Sequence, residues 1–167
     1  MNAGHIQPSE RVATVIAELK ELFGERLAVG EAIRRQHANS LTFIDAQLPD
    51  TVVWPESTAD VVAIVRQASA VAVPLIAFGA GTSLEGHVNA PDGGIAVDFS
   101  RMNRVLQVRP DDLDCSVEAG VTRQRLRSPP HRLIFSCGPG SRPGDAWGHG
   151  GDRGIRHDHC ALRLDAR

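Results

Sequence analysis

The chain has 167 residues, which is enough for one domain with a sizeable core. Its formal net charge of −2 and its pI near 6.4 argue against binding to nucleic acid or to an anionic membrane surface through bulk charge. No apolar run approaches the roughly 18 residues of a membrane-spanning helix, the N-terminus lacks the pattern of a signal peptide, and the cysteines show no disulfide-framework spacing. We therefore expect a cytoplasmic protein.

Residues 1–48 are expected to form a helical segment that precedes the main domain. From Ser9 to Phe23, apolar residues recur every three or four positions, which predicts an amphipathic helix with Ser9 as its N-cap. Gly24 is well suited to end that helix. Further along, we expect His37 to be a surface or packing histidine.

Residues 51–77 predict a β-α-β unit. The run from Asp50 to Pro55, rich in β-branched residues, favours a strand that its proline closes. Ser57 or Thr58 can cap the following helix, whose broad apolar face is typical of a helix that covers a sheet. A second apolar run, 73–77, fits a buried strand.

A loop of small residues, F-G-A-G-T-S, follows that second strand from Phe78 to Ser83. Small residues let the backbone approach a ligand and turn its N–H groups outward, and two hydroxyls lie beside them. Such donors suit a pyrophosphate. The loop matches neither the Rossmann G-x-G-x-x-G pattern nor the Walker A loop with its lysine, so an ordinary strand-to-loop turn is the alternative.

Short strands with tight turns follow and complete an α+β fold. They are predicted at 95–99, 104–108 and 115–119, the first as a half-buried strand of alternating polarity. In the turn after the first strand, Asp98 is best explained as a local cap and Arg101 as a partner in a local ion pair. Thr122 can cap a further helix.

Three segments carry a more specific signal than the loop alone. They are P-L-I-A-F-G-A-G-T-S-L-E-G from Pro74 to Gly86, G-G-I-A-V-D-F-S-R-M-N from Gly93 to Asn103, and V-E-A-G-V from Val117 to Val121. Together they resemble the FAD-binding domain of the FAD-linked oxidases related to the glycolate oxidase flavin subunit and the cytochrome-linked D-lactate dehydrogenases. The resemblance covers about Leu22 to Leu126. It implies an α+β fold of the PCMH or vanillyl-alcohol oxidase-like type, with a truncated FAD-binding subdomain at 49–126.

The resemblance also implies a cofactor and a reaction. FAD would bind non-covalently, with its pyrophosphate on the glycine-rich loop. The residues implied to contact it are Phe78, Gly79, Ala80, Gly81, Thr82, Ser83, Gly86 and His87. The reaction would oxidise a small 2-hydroxy acid, D-lactate or glycolate, and pass electrons to an acceptor other than oxygen. In that family the substrate is held by a downstream domain, so no catalytic residue is assigned here, and we expect marginal stability, weak FAD retention and no activity from these residues alone.

The tail, residues 127–167, has a different character, because it holds 7 of the 16 glycines and 4 of the 7 histidines. One interpretation is a metal site, formed by His149, His157, His159 and Cys160, although their spacing matches no standard zinc pattern. We favour the interpretation that the tail is translated out of frame. When codons for family segments are read from one base earlier, they encode Gly-Pro-Gly, Gly-His-Gly-Gly and Cys-Ala-Leu-Arg. These sequences occur here at 138–140, 148–151 and 160–163. The tail would then be poorly ordered. A non-enzymatic nucleotide-binding module and a small metal-binding protein are the alternative functions.

Overall fold

The computed structural model describes residues 8–38, 43–109, 112, 114–127, 133–136 and 161–164. In chain order its main helices and strands are α1 (Pro8–Phe23), β1 (Leu27–Ala28), α2 (Glu31–Gln36), β2 (Thr51–Val53), α3 (Thr58–Ala70), β3 (Leu75–Phe78), β4 (Ile95–Asp98), β5 (Val105–Arg109), β6 (Asp114–Val117), α4 (Arg123–Arg127), β7 (Leu133–Ser136) and β8 (Ala161–Leu164). Within these ranges, none of the helices is long and apolar enough to cross a membrane. The expected α+β class is confirmed.

A four-stranded sheet with the order β1-β2-β4-β3 organises the first two thirds of the described chain. β2 and β3 both run parallel to β4, which lies between them, and β1 is antiparallel to β2. The predicted β-α-β unit is therefore present, but its two strands are separated by a third that comes later in the chain. This third strand is β4, and its four residues are all buried, so the prediction of a half-buried strand at 95–99 was wrong. The run Ile95-Ala96-Val97 is continuously apolar, which is typical of a parallel strand that is covered on both faces.

One face of the sheet packs against α1 and α3. The buried cluster contains Val15, Leu19 and Phe23 from α1, Ile64 and Ala68 from α3, and Ile95 and Val97 from β4. The three- to four-residue spacing of the α1 and α3 members puts them on one side of each helix, as the sequence predicts. Because α1 begins at Pro8, Ser9 lies inside the helix and is not its N-cap, whereas Gly24 ends the helix as expected, with a φ of +54°.

Two glycines let the chain enter β4. Gly93 and Gly94 have φ values of +67° and +102°, and the Gly94 N–H donates to Oδ2 of Asp50 at 2.6 Å. A Cβ on Gly94 would overlap the carbonyl of Pro74, just before β3. Close approach of three backbones at this point requires residues without side chains, which gives the glycine pair a structural explanation.

A smaller unit follows the sheet. β5 and β6 pair antiparallel, and Val121 and Leu126 form a second buried cluster with the apolar side chains of that pair. Thr122 caps α4 as predicted, because its Oγ1 accepts the N–H of Arg125 at 3.3 Å. β7 and β8 pair antiparallel. Of the residues used in the out-of-frame interpretation, 161–163 lie in β8, while 138–140, 148–151 and Cys160 lie outside the described ranges.

The cap of α3 can be tested with a matched pair of serines. Ser57 Oγ accepts the N–H of Asp60 at 3.1 Å, whereas Ser69 is exposed in the last turn of the same helix. We expect Ser57→Ala to lower the free energy of unfolding by about 1 kcal/mol, because an N–H at the helix start loses its acceptor. Ser69→Ala should change it by less than about 0.5 kcal/mol. Urea unfolding followed by circular dichroism measures both, and equal effects would contradict the assignment of the cap.

Candidate functional site

The glycine-rich loop leaves the sheet at the carboxyl end of β3. In the strand register, Phe78 of β3 lies opposite Asp98 of β4, and the loop starts at the next residue. Ligands of parallel sheets bind beyond the carboxyl ends of the strands, so the loop has a favourable location for a binding site. Gly81 has a φ of +68°, and a Cβ there would lie 2.8 Å from Cζ of Phe78. The Phe78 ring therefore supports the loop directly beneath Gly81, which has to be a glycine.

The loop offers hydrogen-bond donors that have no partner among the described residues. In the part of the chain that the structure describes, the N–H groups of Ala80, Gly81 and Thr82 donate to no backbone carbonyl. Thr82 Oγ1 is buried without a hydrogen-bond partner among the same residues, and a Cβ on Gly79 would meet no atom within 4 Å. Backbone amide donors can bind an anion without a charged side chain. This donor set fits a pyrophosphate.

The second half of the loop orders its own polar groups. Ser83 Oγ accepts weakly from the N–H of Glu85 at 3.4 Å and lies 2.6 Å from Nδ1 of His87, which is exposed. Gly86 turns the chain with a φ of +80°, and its carbonyl accepts the N–H of Asn89 at 3.0 Å. The eight predicted site residues thus lie on one continuous stretch, Phe78 to His87, that follows the carboxyl end of β3. Their contacts with a cofactor stay a prediction.

A buried charged pair, His37 and Asp98, lies next to this loop, and no sequence pattern predicts it. His37, only 5% exposed, places Nε2 at 2.9 Å from Oδ2 of Asp98 and Nδ1 at 2.8 Å from the carbonyl oxygen of Ile33. Its ring centroid is 4.4 Å from that of Phe78 and 5.8 Å from that of Trp54. The expectation of a surface histidine was wrong, and the packing role is only part of what His37 does.

Asp98 is the centre of these contacts. Its Oδ2 also accepts from Nε1 of Trp54 at 2.8 Å, and its Oδ1 accepts the N–H of Ser100 at 2.8 Å. The predicted local cap is thus confirmed, but the carboxylate makes long-range contacts as well. Arg101 pairs with Oε1 of Glu56 at 2.8 Å, 45 positions away in sequence, so the expected local pairing was wrong.

The electrostatics of the pair favour two charged partners. Burial acts to lower the pKa of His37, but the hydrogen bonds to Asp98 and to the Ile33 carbonyl, with the charge of Asp98, outweigh it and raise that pKa above 6.5. Burial acts to raise the pKa of Asp98, but the donors on His37, Ser100 and Trp54 outweigh it and lower that pKa below 3.8. Both ring nitrogens of His37 face acceptors, which also indicates an imidazolium.

The metal site that the tail sequence suggested falls outside the described residues. Among the described residues, no group of three or more His, Cys, Asp or Glu could hold a metal ion. His149, His157, His159 and Cys160 lie outside the described ranges.

Comparisons with known proteins agree with the fold. The family model of the FAD binding domain matches residues 49–144, more than half of the chain, and runs on past Leu126, where the recognisable motifs end. A probable mitochondrial D-lactate dehydrogenase of Danio rerio is 36% identical over 118 residues, which are 70% of this chain and 24% of that protein. The mitochondrial D-lactate dehydrogenase (cytochrome) of Arabidopsis thaliana is 32% identical over 130 residues, which are 75% of this chain and 23% of that protein.

A solved structure extends the comparison to the architecture. p-Cresol methylhydroxylase with bound substrate superposes with a TM-score of 0.74 and 17% identity, over 90% of this chain and 31% of that one. At this identity the likeness concerns the fold alone, and it confirms the expected PCMH-type architecture. The chain spans about a quarter of the length of the two D-lactate dehydrogenases that it matches.

The buried pair predicts how stability depends on pH. Because the pKa of folded His37 is raised, its contribution is complete below pH 6.5, the ordinary value, and is lost as pH rises through the folded-state pKa. Asp98, whose pKa is lowered, contributes above 3.8 and loses its contribution as pH falls through its folded-state pKa. We therefore expect the free energy of unfolding to decline above pH 6.5, as measured by urea unfolding at several pH values.

Variants separate this effect from other titrations. His37→Gln should lower the free energy of unfolding by about 3 kcal/mol near neutral pH, because a buried carboxylate loses its cationic partner, and should flatten the decline. Glu31→Gln, which removes the exposed pair with Arg35 on the same helix, should keep the wild-type pH profile. An unchanged decline in His37→Gln would assign the pH dependence to another group.

Proposed function

We propose, since the chain belongs to the FAD binding domain family, that the loop from Gly79 to Ser83 binds the pyrophosphate of FAD and that the protein serves to oxidise a 2-hydroxy acid of the D-lactate type. FAD is the cofactor of this family. The observation that carries the proposal is the set of uncommitted N–H donors at the carboxyl edge of three parallel strands. The family match disfavours both alternatives, the non-enzymatic module and the small metal-binding protein.

Each loop residue has a physical role in this proposal. The N–H groups of Ala80, Gly81 and Thr82 donate to phosphate oxygens, and Gly79 leaves room for their close approach. The negative charge is met by amide dipoles and hydroxyls. Phe78 supports the loop from below.

Two further residues complete the site. The Gly86 turn presents His87, whose Nδ1 lies 2.6 Å from Oγ of Ser83. With the proton on Nδ1, the imidazole donates to Oγ and leaves the Ser83 O–H to donate to a phosphate oxygen.

The redox chemistry would belong to the cofactor. Bound FAD accepts the electrons that the hydroxy acid loses, and the polypeptide binds and orients it. The two D-lactate dehydrogenases among the relatives favour D-lactate over glycolate as the substrate. Electrons would leave to an acceptor other than oxygen, and we assign no catalytic base to the described residues.

The finer parts of the proposal concern this length of chain. We infer that the 167 residues alone hold FAD weakly. They supply one loop of the cofactor site, and the relatives of the chain are about four times as long. We also infer that the 167 residues alone do not turn over D-lactate, since the substrate-binding groups of the family lie further downstream. We keep a cytoplasmic location and an out-of-frame tail as proposals.

The loop assignment is tested by small substitutions that the fold tolerates. Gly79→Ala places a methyl group in open space, so the melting temperature should stay unchanged while the affinity for FAD falls about tenfold. Gly30→Ala is the matched control: it also meets no atom within 4 Å, at a φ of −62°, but lies outside the loop and should leave FAD affinity unchanged. Quenching of flavin fluorescence on binding measures both. Equal affinity in Gly79→Ala and the wild type would move the pyrophosphate elsewhere.

Gly81→Ala should behave differently, because it strains the fold itself. A left-handed φ of +68° costs a residue with a side chain about 1–2 kcal/mol, and the new Cβ would lie against the Phe78 ring. We expect a lower melting temperature and weaker FAD binding together, by thermal unfolding and the same fluorescence titration. A stable Gly81→Ala protein with wild-type affinity would contradict the described loop conformation.

Activity of the isolated chain provides a separate test. With FAD near saturation and an artificial electron acceptor, D-lactate should give no acceptor reduction above the FAD-only blank. Turnover that depends on both D-lactate and FAD would overturn the inactivity and at the same time support the reaction class. Turnover with glycolate and not with D-lactate would correct the substrate.

A further inference from the structure

A continuous set of contacts joins the buried charged pair to the ligand loop. Asp98 bonds His37 at 2.9 Å, the imidazole packs on the Phe78 ring with centroids 4.4 Å apart, and the same ring lies beneath Gly81, where an added Cβ would come within 2.8 Å of it. Phe78 is thus in contact with the histidine on one side and with the loop on the other. A displacement of the imidazole would be transmitted to the backbone that carries the free N–H groups.

The position of the imidazole depends on its proton. The Ile33 carbonyl can only accept, and the Asp98 carboxylate, which already binds the Trp54 indole N–H, can only accept as well. When one ring proton is lost, a nitrogen lone pair faces an oxygen lone pair, one buried hydrogen bond is lost, and the ring has to shift or rotate.

The charged groups around the ring are few. Among the described residues, Asp98 on β4 is the charged side chain in contact with the imidazole, while Trp54 after β2 and Phe78 on β3 present uncharged rings. On α2 itself, Arg34 bonds the Pro49 carbonyl and Arg35 bonds Glu31.

We propose that His37 is a positioning residue for the ligand loop: its doubly protonated ring, held by Asp98 and the Ile33 carbonyl, fixes Phe78 beneath Gly81 and keeps the loop N–H groups in their binding arrangement. Loss of the proton releases Phe78 and loosens the loop. The identity of the loop's ligand rests on the proposed function, whereas the coupling between His37 and the loop does not.

The coupling is tested first without ligand. The full 167-residue chain, labelled with ¹⁵N, is titrated from about pH 5.5 to about pH 9, and the ring nitrogens of His37 are followed with the amide resonances of Ala80, Gly81 and Thr82. The three amides should share the inflection of the His37 ring. Glu31→Gln should keep this inflection and His37→Gln should lose it, while a step that does not arise from His37 persists in both. Loop amides that ignore the His37 ring would overturn the proposal.

The second measurement uses FAD. In the wild type and in Glu31→Gln, the affinity for FAD should fall about fivefold across the inflection of His37, and in His37→Gln it should be weak and independent of pH in that interval. If His37→Gln does not fold, saturating FAD added to the wild type should raise the His37 inflection by an equivalent amount, since coupling is reciprocal. An inflection that FAD leaves unmoved would overturn the proposal.

The two measurements separate this proposal from the function it refines. Amides that follow His37 in a chain that does not bind FAD would support the positioning role and contradict the proposed function. FAD binding that is independent of pH, with amides that ignore His37, would leave the proposed function standing and remove the positioning role.

Discussion

The insertion of β4 between β2 and β3 is the constraint on which the rest of the structure depends. A strand with parallel neighbours on both sides brings the carboxyl ends of all three to one edge of the sheet. The register continues one step beyond β2, so that Trp54, Asp98 and Phe78 meet at that edge and their side chains contact His37 or one another. The glycine-rich loop and the buried charged pair are therefore neighbours because of the strand order.

The same constraint explains the glycine-rich segments on either side of β4. Gly93 and Gly94 admit the strand where it passes Pro74, and a Cβ on Gly120 would overlap the carbonyl of Phe99 where the chain packs back after β6. Close packing, rather than ligand binding, accounts for these three glycines: a Cβ would meet a backbone carbonyl at Gly94 and Gly120 and the Asp50 carboxylate at Gly93. Gly79 differs from them, because a Cβ there would meet no atom of the described residues within 4 Å.

Local features of the fold could be predicted from the sequence, and pairing between distant elements could not. The helix at 9–23, the cap at Ser57 and the strand at 51–53 each depend on residues within a few positions of one another, and the structure contains all three. The place of β4 between β2 and β3 is not encoded in hydrophobic periodicity, although its continuous apolar run, Ile95-Ala96-Val97, is consistent with burial on both faces. The site divides in the same way: the loop carries its own small-residue signal, whereas His37 and Asp98 are 61 positions apart and share no spacing pattern.

The edge of the sheet has a consequence for how the chain behaves in concentrated solution. Among the described strands, β3 is the outer parallel strand, with a free row of backbone groups, and such edges are templates for intermolecular β-pairing. Pro74, which has no N–H to offer, precedes it, and Gly79 follows it, so only four residues present an extended edge. Polymerisation through strand addition is thereby limited to a short and poorly cooperative contact.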